Sequence, residues 1–313
     1  MHALAVVLQA PETLELRQLA LSEPGADDVV VEISHSGIST GTERLLYTGR
    51  MPPFPGLAYP LVPGYESVGH VTAAPAGSSL SLGDEVFVPG ARCFGEIAGL
   101  FGGAASHLVT AASRVTRLPK GLGEQGVLLA LAATAYHAVA AKGAQLPDLV
   151  VGHGVLGRLI ARITMALDGA PPVVWETQAQ RRLGATGYPV IDPAEDVRKD
   201  YRSIQDVSGD GGLLDTLIGR LGKGGEIVLA GFYSAPLSFN FPPAFLREAR
   251  LRVAAEWGPG DLDAVLALVE QGRLALDGLI THREPASKAK DAYRTAFGDT
   301  RCLKMILNWR ATQ

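Results

Sequence analysis

The chain has 313 residues, 47% of them apolar and 19% charged, with 28 basic side chains against 32 acidic ones. That length suits two globular domains, and the absence of a basic block argues against a nucleic-acid partner. The two cysteines, Cys93 and Cys302, lie far apart, which excludes a disulfide framework or a cysteine-rich zinc loop and suits a reducing cytoplasm.

The start, Met1-His2-Ala3-Leu4-Ala5-Val6-Val7, has neither the basic region nor the cleavage site of a secretory signal. No apolar run is long enough to span a bilayer, because the stretch 149–167 is cut by His153, Arg158 and Arg162. A cytoplasmic protein is expected, with peripheral membrane contact left open. Strands follow at Leu14–Leu19, Val29–Ser34, Tyr65–Val71 and Gly83–Val88, punctuated by Gly and Pro. This pattern predicts a small, partly open β-barrel. Between the strands, Thr42 and Glu43 suit the start of a helix, Thr as cap and the acid for its dipole end. The segment 51–65 carries five prolines, with Phe54 and Tyr59 among them. Proline fixes φ and stiffens such a loop.

The pattern changes near Gly121. Residues 124–142 read as helix, and they lead into Leu149-Val150-Val151-Gly152-His153-Gly154-Val155-Leu156-Gly157. Nineteen residues past Gly157 stands Glu176, behind a second apolar run. Strand, G-x-G-x-x-G turn, helix, strand and acid form a dinucleotide fingerprint. Gly152 allows the tight turn, Gly154 close approach of the pyrophosphate, and Gly157 close helix–strand packing. Glu176 accepts ribose hydroxyls and repels a 2′-phosphate, so NAD is expected as cofactor, although Arg181 and Arg182 stand nearby. Strands at 189–191, 203–207, 226–231 and 250–255 and a helix at 211–221 complete a doubly wound parallel sheet. Helices at 262–270 and 288–297 and a closing strand at 301–309 return the chain to the first domain. The expected domains are 1–121 with 284–313, and 122–283.

This arrangement resembles the medium-chain dehydrogenase/reductase superfamily over essentially the whole chain. The resemblance implies an α/β fold, a Rossmann domain inserted into a GroES-like barrel. Its landmarks here are Gly83-Asp84-Glu85-Val86, Ala132–Ala138, Asp206-Val207-Ser208-Gly209 and Leu279–Arg283. It places Thr134, Val207, Ser208, Gly231 and Phe232 beside the cofactor, with Val155, Leu156 and Arg181. Zinc-dependent members carry ligands where this chain has Ser39, Tyr65 and, near the third position, Ala130. Zinc needs thiolates, imidazoles or carboxylates, so no metal is expected. Long segments at 36–43, 49–56, 59–69 and 100–105 resemble a branch acting on bacteriochlorophyllides. That implies an alcohol dehydrogenase oxidising a 3-(1-hydroxyethyl) group to 3-acetyl.

Without zinc, hydroxyls must serve the alcohol. Tyr65 is a candidate to face the reacting oxygen, Ser39, Thr40 and Thr42 to relay its proton, and Glu66 to be the terminal base or to orient Tyr65. Phe54, Tyr59, Phe94 and Phe101 are candidates to stack on a flat tetrapyrrole. His35 and His107 are candidate ligands for its magnesium, though each reads more simply as an ordinary hydrogen-bonded histidine. Two other readings stay open: a zinc-free quinone or enal reductase, and a non-catalytic nucleotide-binding scaffold for pigments. A homo-oligomer or contact with other pigment-pathway enzymes is also compatible with the chain.

Overall fold

A computed structural model describes residues 1–312. The chain divides into two compact units, one made of Met1–Ala130 and the chain from Leu279 onward, the other of Leu131–Gly278.

The first unit begins with strands β1 (His2–Ala10), β2 (Thr13–Ala20) and β3 (Asp28–Ile38) and helix α1 (Thr42–Tyr47). Six short strands follow: β4 (Leu61–Val62), β5 (Ser67–Ala73), β6 (Glu85–Val88), β7 (Ala98–Gly99), β8 (His107–Ala111) and β9 (Thr116–Arg117). β1, β2, β4 and β7 form one sheet, and β3 is central to a second with β5, β6, β8 and β9. β3 is nearly continuous in buried Val and Ile because it is paired along both edges. Apolar side chains of both sheets, among them Val6, Leu8, Val31, Ile33 and Leu61, fill one core. Alternation with Gly-rich turns thus does give a small barrel-like body.

The second unit is reached along α2 (Leu129–Ala140). It contains β10 (Leu149–Val151), α3 (Val155–Ala166), β11 (Val173–Trp175), α4 (Ala179–Arg182), β12 (Val190–Ile191), β13 (Tyr201–Asp206), α5 (Leu214–Arg220), β14 (Leu221–Leu229), α6 (Phe241–Arg247), β15 (Arg250–Val253) and α7 (Asp261–Glu270). The sheet order is β12-β11-β10-β13-β14-β15, parallel at every pairing. That is the doubly wound order whose reversal lies beside β10. Buried Leu149, Ile204, Leu217 and Ile227 pack its core.

The chain then returns to the first unit through β16 (His282–Pro285), α8 (Ala289–Gly298) and β17 (Met305–Asn308), with β17 antiparallel to β3. Several boundaries differ from the sequence reading. The closing strand is only Met305–Asn308, because a turn at 299–302 comes first. β5 starts at Ser67, leaving Tyr65 and Glu66 outside the ladder. The helix expected to stop at Gly222 ends at Arg220, and β14 already includes Gly222. Thr42 is not a cap: Gly41 occupies that position and no side chain bonds the helix start there. No helix among the described residues is long and apolar enough to cross a membrane.

Candidate active site

In the first unit, the chain leaves β3 at Ile38 and turns into α1 through Ser39-Thr40-Gly41. That turn brings Ser39 against Tyr65: the Ser39 Oγ and Tyr65 hydroxyl oxygens lie 2.7 Å apart. Thr42 hydrogen-bonds Tyr65 as well. Three of the predicted hydroxyls therefore form one cluster. Thr40 does not join it; its residue is exposed at the turn. Burial and the nearby Glu66 charge push the Tyr65 phenol well above its ordinary range, while the Ser39 and Thr42 bonds pull the other way. Tyr65 thus holds its proton.

Glu66 neither orients Tyr65 by a hydrogen bond nor opens to solvent. It is fully buried, and Lys304 Nζ lies 2.6 Å from its Oε2. The same ammonium donates to the Ile38 carbonyl at 3.3 Å. Burial pushes the Glu66 carboxyl up and the Lys304 charge draws it back. Gly37 is required here: a Cβ on it would stand 2.2 Å from Glu66 Oε2. The role assigned to Glu66 from sequence is corrected to that of a buried ion-pair partner.

The aromatic candidates separate into two groups. Phe101 meets the Tyr65 ring edge-on at 5.4 Å between centroids, and Phe54 meets Phe101 edge-on at 6.3 Å. These three form a continuous line from an exposed loop to the hydroxyl cluster. Phe94, by contrast, is buried in the barrel core, so it cannot present a face to a ligand. Tyr59 is half-buried and donates its hydroxyl to the Leu46 carbonyl. His107 is bonded beside Ser106 at 3.2 Å. Burial holds His35 below its ordinary pKa, which keeps its imidazole neutral.

In the second unit, Gly152 has φ +104°, a conformation open to glycine. No atom lies within 4 Å of a Cβ built on Gly154, whereas one on Gly157 would stand 1.9 Å from the Gly152 carbonyl oxygen. The start of α3, at Gly154, has no side-chain cap, so its first N–H groups suit an anion. Glu176 is nearly buried and its two oxygens accept from the His153 N–H at 3.2 Å and the Gln178 N–H at 2.9 Å. These features fit a dinucleotide. We expect Gly157→Ala to weaken its binding by ~10-fold or more, since overpacking against backbone costs about 1–3 kcal/mol. Dinucleotide titration checks it.

Of the remaining predicted cofactor residues, Val207 and Ser208 follow the C-terminal end of β13, and Gly231 and Phe232 that of β14. Val207 N donates to Val151 O, Ser208 bonds Asp206 by both N and Oγ, and Gly231 N donates to Asp206 O. Phe232 is exposed. Thr134 lies on α2, Val155 and Leu156 in the first turn of α3, and Arg181 on α4.

Sequence reasoning missed the brace behind this loop. Arg158, buried, donates to the carbonyls of His153, Arg181, Leu183 and Gly184. The His153 ring meets the Arg181 carbonyl at 2.6 Å and the Tyr188 hydroxyl at 2.9 Å. Burial pushes its pKa down to about 4, leaving a neutral ring. Nδ1–H therefore donates to Arg181 and Nε2 accepts from Tyr188. An arginine among the apolar residues at the head of α3 was the signal available.

Residues 25–120 match the alcohol dehydrogenase GroES-like domain. The whole chain is 60% identical to the 2-desacetyl-2-hydroxyethyl bacteriochlorophyllide A dehydrogenase of Cereibacter sphaeroides, covering 100% of both chains. It is 58% identical to the protein of the same name from Rhodobacter capsulatus, over 99% of each. The chain belongs to this dehydrogenase family. In fold it is similar to an Escherichia coli alcohol dehydrogenase solved with NADH, at a TM-score of 0.85 and 20% identity over 98% of this chain and 99% of that one.

The family therefore lies among the medium-chain alcohol dehydrogenases, where zinc is common. The residues here do not fit it. The oxygens of Ser39 and Tyr65 bond each other, and Ala130 offers no donor. Among the described residues, no group of three or more His, Cys, Asp or Glu is placed to hold a metal ion.

Proposed function

We propose that this dehydrogenase oxidises the 3-(1-hydroxyethyl) side chain of a bacteriochlorophyllide to 3-acetyl, with NAD as hydride acceptor. The observation that carries this reading is the end-to-end identity with the two bacteriochlorophyllide dehydrogenases. The hydroxyl cluster supplies its chemistry. The reaction removes a hydride from the carbinol carbon and a proton from its oxygen. A bound nicotinamide dinucleotide supplies the hydride acceptor.

The rest falls to the chain. The Tyr65 oxygen accepts a hydrogen bond from the substrate hydroxyl and fixes it. A tyrosinate is disfavoured at this half-buried position, so the substrate proton does not stop on Tyr65. As it arrives, Tyr65 passes its own proton to Ser39 or Thr42, the two hydroxyls bonded to it, and that hydroxyl in the same movement releases its own proton to solvent water. Because the forming carbonyl conjugates with the macrocycle, such an alcohol is an easier case than an aliphatic one. The line Phe54–Phe101–Tyr65 offers ring edges and faces to a flat macrocycle.

Support for NAD over NADP lies in the Glu176 carboxylate and in the engagement of two nearby arginines, Arg182 and Arg158. Arg182 is bonded to the Glu176 and Thr177 carbonyls and to Asp192. Arg158 is taken up by four carbonyls, so neither guanidinium is placed to receive a 2′-phosphate. The test is to incubate the protein with the 3-hydroxyethyl pigment and either cofactor, following NADH and the macrocycle absorption. We expect turnover with NAD and a kcat/KM at least ~100-fold lower with NADP. A clear NADP preference would overturn the reading of Glu176. Stoichiometric pigment binding with no NADH formed would overturn the enzyme.

A further inference from the structure

One buried acid next to the hydroxyl cluster has no part in the chemistry above. Glu43, on the first turn of α1, is 1% exposed. Its Oε1 accepts the Ser39 backbone N–H at 2.9 Å, and its Oε2 accepts the Tyr293 hydroxyl at 2.6 Å. Tyr293 is itself 1% exposed, on α8, some 250 residues further along the chain. The bonds form one continuous path: Tyr293, Glu43, the Ser39 backbone, the Ser39 hydroxyl, Tyr65. The turn 39–41 has no ladder to hold it, since β3 ends at Ile38 and α1 starts at Thr42. A carboxylate aimed at the Ser39 N–H is what ties it down.

We propose that Glu43, braced by Tyr293, is a positioning residue that holds Ser39 where its hydroxyl meets Tyr65. The proposal rests on the reading of Ser39 and Tyr65 as the alcohol site. It extends that site to a residue pair that touches neither substrate nor cofactor.

The ionic state of Glu43 matters to the grip. Charge-assisted bonds are about twice as strong as neutral ones. Burial raises its pKa to about 7 against the pull of the Tyr293 and Ser39 bonds; the Glu66 charge adds to the rise and the Lys304 charge opposes it. Those are the charged and titratable groups facing it, together with the protonated phenol of Tyr65. Below about 7 Glu43 becomes neutral and its hold on Ser39 weakens. Above it the carboxylate holds Ser39 fully.

The experiment compares wild type, Tyr293→Phe and Glu43→Gln, with Ser39 and Tyr65 intact. It measures kcat on the 3-hydroxyethyl pigment with NAD from about pH 6 to 9, beside the affinity for NAD. For wild type, kcat should rise through about 7. Both variants should lose ~10-fold or more in kcat, the scale of a misplaced catalytic group, with NAD affinity unchanged. Glu43→Gln should also abolish the acidic limb, because an amide does not titrate there. Tyr293→Phe should move the limb to higher pH, because it removes a bond that favours the carboxylate.

Folded variants with kcat within about twofold of wild type and an unmoved limb would overturn the proposal. Should Glu43→Gln fail to fold, Tyr293→Phe decides alone, and an unmoved limb there overturns it. Failure of the underlying reading has its own signature. Wild type would give no NADH, or Tyr65→Phe would turn over normally, and the positioning role would fall with it.

Discussion

Tyr65→Phe should lower kcat on the hydroxyethyl pigment ~100-fold, the low end of what a positioned proton-transfer group contributes. The substitution removes one oxygen and leaves the ring. The edge-on contact with Phe101 at 5.4 Å therefore survives, and pigment affinity should change little. The lost hydroxyl leaves Ser39 Oγ without its 2.7 Å partner and the substrate hydroxyl without its acceptor. A fall in kcat with a nearly constant KM marks an interaction made chiefly in the transition state. Steady-state kinetics at saturating NAD measure both. A variant within about threefold of wild type would remove Tyr65 from the chemistry.

The second large effect is on stability. Lys304→Met should destabilise the first unit by about 3–5 kcal/mol, because it leaves the Glu66 charge buried without compensation. The pair has almost no exposure, 2% for the Lys304 side chain and 0% for that of Glu66, so water cannot substitute. Among the described residues Glu66 Oε1 already finds no hydrogen-bond partner. Losing the ammonium would leave the other oxygen unpaired as well. Gly37 packs against the carboxylate with no room for a side chain, so the site cannot relax inward. The double substitution Lys304→Met with Glu66→Gln should recover most of the loss, since it removes the stranded charge. Urea midpoints of the three proteins test this. Equal midpoints for wild type and Lys304→Met would show that the pair contributes nothing.

Much of the nucleotide unit was legible in the sequence because its signals are local. Gly152, Gly154 and Gly157 each answer a backbone demand within one turn, and Glu176 follows at the end of the next strand. The barrel was harder to bound. Its strands are short and their ends depend on partners far along the chain. Tyr65 and Glu66 read as strand residues, yet β5 begins only at Ser67. Phe94 and Phe101 lie in one glycine-rich stretch and look alike in sequence. One is buried in the core and the other packs on Tyr65.

By itself the sequence determined the two fold types, the Gly152–Gly157 turn with Glu176 after it, and the presence of the hydroxyl residues Ser39, Thr42 and Tyr65. Spacing and residue type suffice for these, because each is set within a few tens of residues. Only the tertiary structure decided which groups pair. It joined Ser39 to Tyr65, Lys304 to Glu66 and Tyr293 to Glu43 across 26, 238 and 250 residues. Burial strips water from such groups and makes each depend on the one partner that the fold delivers, and no local pattern along the chain encodes that distance.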